Sequence, residues 1–151
     1  MKNILVPIGS MDGGKNNLQY AVNIAAISGA RVYLVNIYKE FSKVAGLTKV
    51  NQLMMEDSEA LLKGLMSKVD TNGVEVLAKS IKGDPFVAIE RLTKKLDIDL
   101  IILTPQSVDK NAQLYLGSVT GKIVKRVDVP ILIVPKTYLF RKAETILLAF
   151  K

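Results

Sequence analysis

Short, branched, apolar runs alternate along this chain with segments whose apolar residues recur at helical spacing, and few folds accept that alternation. Asn3–Ile8, Arg31–Tyr38, Val74–Ile81, Leu100–Leu103 and Pro130–Val134 read as strands. The first intervening helix runs from Lys15 to Ser28, with Leu18, Ala21, Val22 and Ala25 on one face and Gly29 just past its end. Lys39–Val50 is a mixed polar connection. Asn51–Val69 is a longer helix on which Met54, Leu61, Leu62, Leu65, Met66 and Val69 form the apolar stripe. Gly83-Asp84-Pro85 opens the next helix, Asp84 as cap and Pro85 at the first position, and Ile89, Leu92 and Leu96 face inward. Ser118–Val127 is the last helix. Strands joined through helices by short links give an α/β, doubly wound fold, a five-stranded parallel sheet covered on both faces. In such sheets a ligand crevice lies beyond the C-terminal strand ends, bordered here by Gly9–Gly14 and Thr104–Gly117.

A chain of 151 residues, 49% apolar and 23% charged, has the material for one domain with a substantial core. The absence of cysteine removes disulfides and thiolates and fits a cytoplasmic setting. Histidine is also absent, which closes Ser-His-Asp and Cys-His mechanisms and the commonest zinc ligand. No catalytic constellation is visible, and an enzyme is not expected. A net charge of +7 raises nucleic acid as a partner, but the lysines are scattered and no basic stripe carries interleaved aromatics, so none is expected. No apolar run reaches membrane-span length, and Met1-Lys2-Asn3 leads straight into a strand.

Two places suit phosphate. Gly117-Ser118 follows a strand and a polar loop and sets its amides at a helix start. Gly9-Ser10-Met11-Asp12-Gly13-Gly14-Lys15 fits the Gly-four-Gly-Lys core of a phosphate loop between strand and helix, which makes a nucleotide hydrolase the alternative reading. Asn16 stands where that motif needs a magnesium-holding hydroxyl, and no strand ends in the aspartate that completes magnesium binding. The simpler reading is a glycine-rich turn; a third has Gly9, Gly13, Gly14 and Lys15 contacting phosphate from across the crevice. Asp97 and Asp99 flank Ile98 at the N-terminal end of a strand, away from the crevice, and suit a solvated turn better than a metal. Met54, Met55 and Met66 read as core filling. The cations ending the third and fourth helices suit the helix dipoles.

Past Val134 the plan changes. Pro135–Ala143 is a charged linker, and Thr145–Phe150 resembles the opening Asn3–Ile8, as if a second copy were beginning. The expected organisation is a domain over 1–136, then a linker and the first strand of a second repeat over 137–151, making the chain the N-terminal half of a tandem protein.

In this order and spacing the segments resemble the universal stress protein family over roughly residues 2–136. Ile4-Leu5-Val6-Pro7 is similar to its opening strand, Arg31–Ile37 to its second strand, Gly83-Asp84-Pro85 and Asp97–Leu103 to the stretch before its nucleotide loop. Leu116-Gly117-Ser118-Val119 and Val129–Val134 are similar to its closing block. The resemblance implies the adenine nucleotide alpha hydrolase-like fold with strand order 3-2-1-4-5, and a regulatory or adaptor role in stress response. It also implies pairing through strand Pro130–Val134, as a homodimer or with a second repeat. Nucleotide-binding members carry Gly-two-Gly-nine-Gly-Ser/Thr; counted back from Gly117-Ser118, this chain has Ser107 and Thr104 where glycines are expected, and Gly9 where the family has an aspartate. The contacts that the resemblance places on this chain are Pro7, Gly9, Ile37, Thr104, Ser107, Gly117, Ser118 and Val119. Side chains at 104 and 107 crowd a triphosphate, and Pro105 removes an amide, so ATP or another adenine nucleotide is expected to bind weakly or not at all. A smaller anion still fits a hydroxyl-rich loop.

Overall fold

The computed structural model of the protein describes residues 1–41, 46–105, 107–108, 114–115 and 117–147, with backbone alone at 107–108, 114–115 and 117–118. In chain order the elements are β1 (Asn3–Pro7), α1 (Met11–Ser28), β2 (Arg31–Tyr38), α2 (Thr48–Lys68), β3 (Val76–Lys82), α3 (Pro85–Lys95) and β4 (Leu100–Leu103). They are followed by β5 (Ser107–Val108), β6 (Leu114–Tyr115), α4 (Gly117–Arg126) and β7 (Ile131–Ile133). Five strands form one parallel sheet in the order β3-β2-β1-β4-β7, the expected 3-2-1-4-5 once the small β5–β6 pair is set aside.

Alternation along the central strands divides the interior in two, because successive side chains point to opposite faces. Ile4 and Val6 of β1, Val32 and Leu34 of β2 and Ile102 of β4 pack under α1 and α2 against Leu18, Val22, Leu62 and Leu65. Leu5, Val35, Ile101 and Leu103 face the other way, onto Ile89 and Leu92 of α3 and Ile123 of α4. The central β1 and β4 are almost wholly apolar because both of their faces are covered, whereas the edge strand β3 carries Lys79, Ser80 and Lys82 and is largely exposed. Local signals set the helix ends. Gly29 adopts left-handed φ +75° and returns its N–H to Ala25 O at 2.8 Å, and Asp84 accepts from Val87 N–H at 3.0 Å with Pro85 opening α3. At the opposite end of the sheet from the crevice, Asp99 accepts from the backbone N–H groups of Lys2 at 2.6 Å and Asn3 at 2.9 Å, tying β1 to the start of β4.

Four expectations are corrected. The segment after β4 is not plain loop: Ser107–Val108 pairs antiparallel with Leu114–Tyr115. Met55, expected as core filling, is 39% exposed; Met54 is half-buried, and Leu62, Leu65 and Val69 supply most of the apolar burial at this helix. Residues 135–143 are not a free linker. Asn16 donates to Tyr138 O at 2.7 Å, and the Phe140 ring meets Tyr20 edge-on at 5.0 Å, so the outgoing chain is fastened across α1. Residues 145–147 form no strand, and Ile146 and Leu147 are exposed; the rest of the expected Thr145–Phe150 strand lies outside the described residues. The central part of the expected 39–50 connection, residues 42–45, is likewise outside them.

Candidate functional site

The crevice is built where the sheet order turns outward on either side of β1 and β4. Beyond Pro7, Ile8 extends the sheet by donating to Val35 O at 2.8 Å, and the buried Asn36 carboxamide clamps Ile8 O at 2.6 Å. Those bonds hold the ends of β1 and β2 level, leaving a cavity of about 440 Å³ above them. Its walls are Pro7, Ile8 and Gly9 from β1 and its exit, Ile37 from β2, Leu103, Thr104 and Pro105 from β4 and its exit, and Val119, Thr120 and Ile123 from α4. Ser10 ahead of α1, Asp12, Gly14 and Asn17 of α1, Pro85 and Ile89 of α3, and Lys136 complete it.

Five of the residues singled out from sequence therefore line one cavity: Pro7, Gly9, Ile37, Thr104 and Val119. Ser107 opens β5, and Gly117 and Ser118 open α4, the helix whose first turn sends Val119 and Thr120 to the wall; the side chains at 107, 117 and 118 lie outside the described residues. At Gly9 a Cβ would meet nothing within 4 Å, so the missing aspartate is not a steric exclusion. Thr104 has ordinary backbone: among described non-glycine residues only Asn72 and Asp97 have positive φ. The chain passes this point without the conformation that a glycine would supply, so its side chain costs no strain and instead occupies crevice space.

The Gly9–Lys15 segment has an architecture of its own. Asp12 (φ −65°, ψ 117°) and Gly13 (φ 76°, ψ −21°) form a type II turn before the regular helix, which is why α1 begins earlier than expected. A Cβ at Gly13 would stand 2.9 Å from Lys136 Cγ, and one at Gly14 would stand 3.0 Å from Ile8 Cγ2 and 3.3 Å from Leu65. Both glycines answer to packing and turn geometry. Lys15 is exposed and is not on the cavity wall, whereas Asp12 puts a carboxylate there.

Three wall residues escaped the sequence reading. Lys136 lies just past β7 and pairs with Asp12 at 2.6 Å, so the two charges on the wall neutralise each other. Asn17 sits on the core-facing stripe of α1, where only its polarity stood out, and Thr120 is one position past the matched Val119. Among the described residues no group of acidic side chains is arranged to hold a metal ion, and no helix is long and apolar enough to cross a membrane.

The sheet order and the crevice agree with what the family comparison finds. The model of the universal stress protein family matches residues 1–135. The chain belongs to the universal stress protein family. Universal stress protein MJ0531 of Methanocaldococcus jannaschii is 26% identical over 141 residues, which span 89% of this chain and 82% of that protein. Universal stress protein UspA from Lactobacillus plantarum superposes with a TM-score of 0.73 at 23% identity, covering 88% of this chain and 97% of its own. A universal stress protein solved in complex with cAMP superposes with a TM-score of 0.68 at 20% identity, covering 90% and 98%. These structures share the fold of this member.

Proposed function

We propose that this chain is a regulatory or adaptor domain of stress response whose crevice takes an adenine nucleotide with few phosphates, and that it exerts its effect by binding. The observation that carries the reading is the cavity itself, at the turn-out point of the sheet, lined by Pro7, Ile37, Thr104 and Val119. A volume of about 440 Å³ accommodates a nucleoside monophosphate. A triphosphate brings several negative charges, and the described wall offers them a single cation already paired with Asp12. The relative solved with cAMP gives a precedent for an adenine monophosphate on this fold. The Gly9–Lys15 segment has Asn16 in place of a magnesium-holding hydroxyl, and no acidic cluster suited to a metal is found among the described residues, which supports reading the bound nucleotide as a signal rather than a substrate.

The edge strand β7 is half-buried, and we assign to it the pairing of two copies, or of this domain with a second repeat. Calorimetric titration with AMP and with ATP plus magnesium, run beside a phosphate-release assay, tests the reading. Weak binding of AMP, weaker or no binding of ATP and no turnover are expected. Tight magnesium-dependent ATP binding with turnover would replace it with the hydrolase.

A further inference from the structure

The two helical layers that cover the sheet differ in charge. On one face, α1 and α2 carry four acidic and four basic side chains. On the other, α3 and α4 carry Arg91, Lys94, Lys95, Lys122, Lys125 and Arg126 against Glu90 alone, and all six cations are exposed. Among the described residues Lys94 alone of the six forms an ion pair, with Glu90 at 3.7 Å, and Arg126 lies over the Phe86 ring at 5.9 Å, at the seam between the two helices. Helix dipoles account for the four cations in the last turns but not for Arg91 and Lys122, which stand earlier. Val87, Arg91 and Lys94 share an outward face of α3 at the spacing i, i+4, i+7, and Val87 is 57% exposed.

The complement stands on α2. Leu53, Glu56 and Asp57 follow the spacing i, i+3, i+4 on its outward side, half a turn round from the buried Leu62, and Leu53 is 57% exposed. Glu56 accepts from the Gln52 amide at 3.0 Å, and neither carboxylate meets a cation among the described residues. Each face is thus one exposed apolar side chain beside two like charges, negative on α2 and positive on α3. We infer that the Leu53–Asp57 face of one copy docks on the Val87–Lys94 face of a second copy, valine against leucine and guanidinium and ammonium against the two carboxylates. The two faces lie on opposite sides of the sheet, so the contact is heterologous and does not close: each copy offers both halves, and copies add in a row. This association is separate from the crevice and from the β7 edge.

Light scattering on the full chain tests it by reading mass against concentration at two salt levels. At about 0.1 M salt charges act over roughly 10 Å, and at about 1 M over roughly 3 Å. Mass is expected to keep rising with concentration at the lower salt and to lose that growth at the higher. The double variant Arg91→Glu, Lys94→Glu makes the α3 face repel the α2 face of another copy, and Glu56→Lys, Asp57→Lys does the same from the other side. Each alone should lose the salt-sensitive growth, and an equimolar mixture should regain it, because each supplies the half that the other lacks. Circular dichroism reports folding. Should a reversed variant fail to fold, the milder Glu56→Gln, Asp57→Asn should still abolish the growth. Mass that ignores salt, growth that survives in the folded variants, or two silent variants that stay silent when mixed overturns the inference; the basic face would then await an acidic segment of another protein.

Discussion

At the scale of single residues, Asn17 has an effect separable from any ligand. Its Oδ1 is buried without a hydrogen-bond partner among the described residues, so Asn17→Leu should make the protein more stable by about 1 kcal/mol, read as a higher midpoint in urea. A lower midpoint would mean that the carboxamide serves the fold instead. Asp99 gives a second prediction. The two N–H groups of Lys2 and Asn3 hold its carboxyl below the ordinary 3.8. A depressed carboxylate contributes stability that is fully present above its unfolded value and is lost as pH falls through the folded one. The chain should therefore lose stability below about pH 4 in a step that Asp99→Asn flattens, measured by thermal midpoints across an acid series. Pro7, Ile37 and Val119 were reached through the likeness to the family, whose contacts fall on them. Sequence reasoning missed Lys136 because that residue arrives from beyond the last strand, and no local pattern marks a long-range crossing.

Among the elements, α3 is the one whose start is written most plainly. Asp84→Ala removes the acceptor for Val87 N–H and should cost about 1 kcal/mol, detected by chemical denaturation, while Asp84→Asn should recover most of it. The central strands β1 and β4 were legible for the same reason that the core is double: apolar on both sides, they advertise burial on two faces. Of the methionines read as core filling on α2, Met66 packs against the core and Met54 is half-buried, but Met55 is exposed, one position round the helix from the apolar stripe. Periodicity reports which face is apolar and does not report whether a neighbour is present. The two-residue strands β5 and β6 left no signal, since they are too short to show alternation.

For the whole molecule, the exposed side of β7 makes association testable without touching the interior. Val134 donates inward to Leu103 O at 2.8 Å, so by the alternation of a strand the N–H of Ile133 points outward, away from β4. Ile133→Pro should convert a pair into a single copy in sedimentation velocity while leaving the circular dichroism unchanged. If the pair persists, association runs through another surface. The sheet order 3-2-1-4-5 came from likeness to a family, and residue patterns alone gave only parallel strands between helices. Order among strands depends on contacts that no single stretch of sequence contains.

The outgoing polypeptide lies against α1 through Asn16 and Tyr20, and Lys136 on that same stretch forms part of the cavity wall. Occupancy inside and the path of the departing backbone thus share a side chain. A guest that drew the ammonium of Lys136 away from Asp12 would remove one of the contacts that hold residues 136–140 against α1.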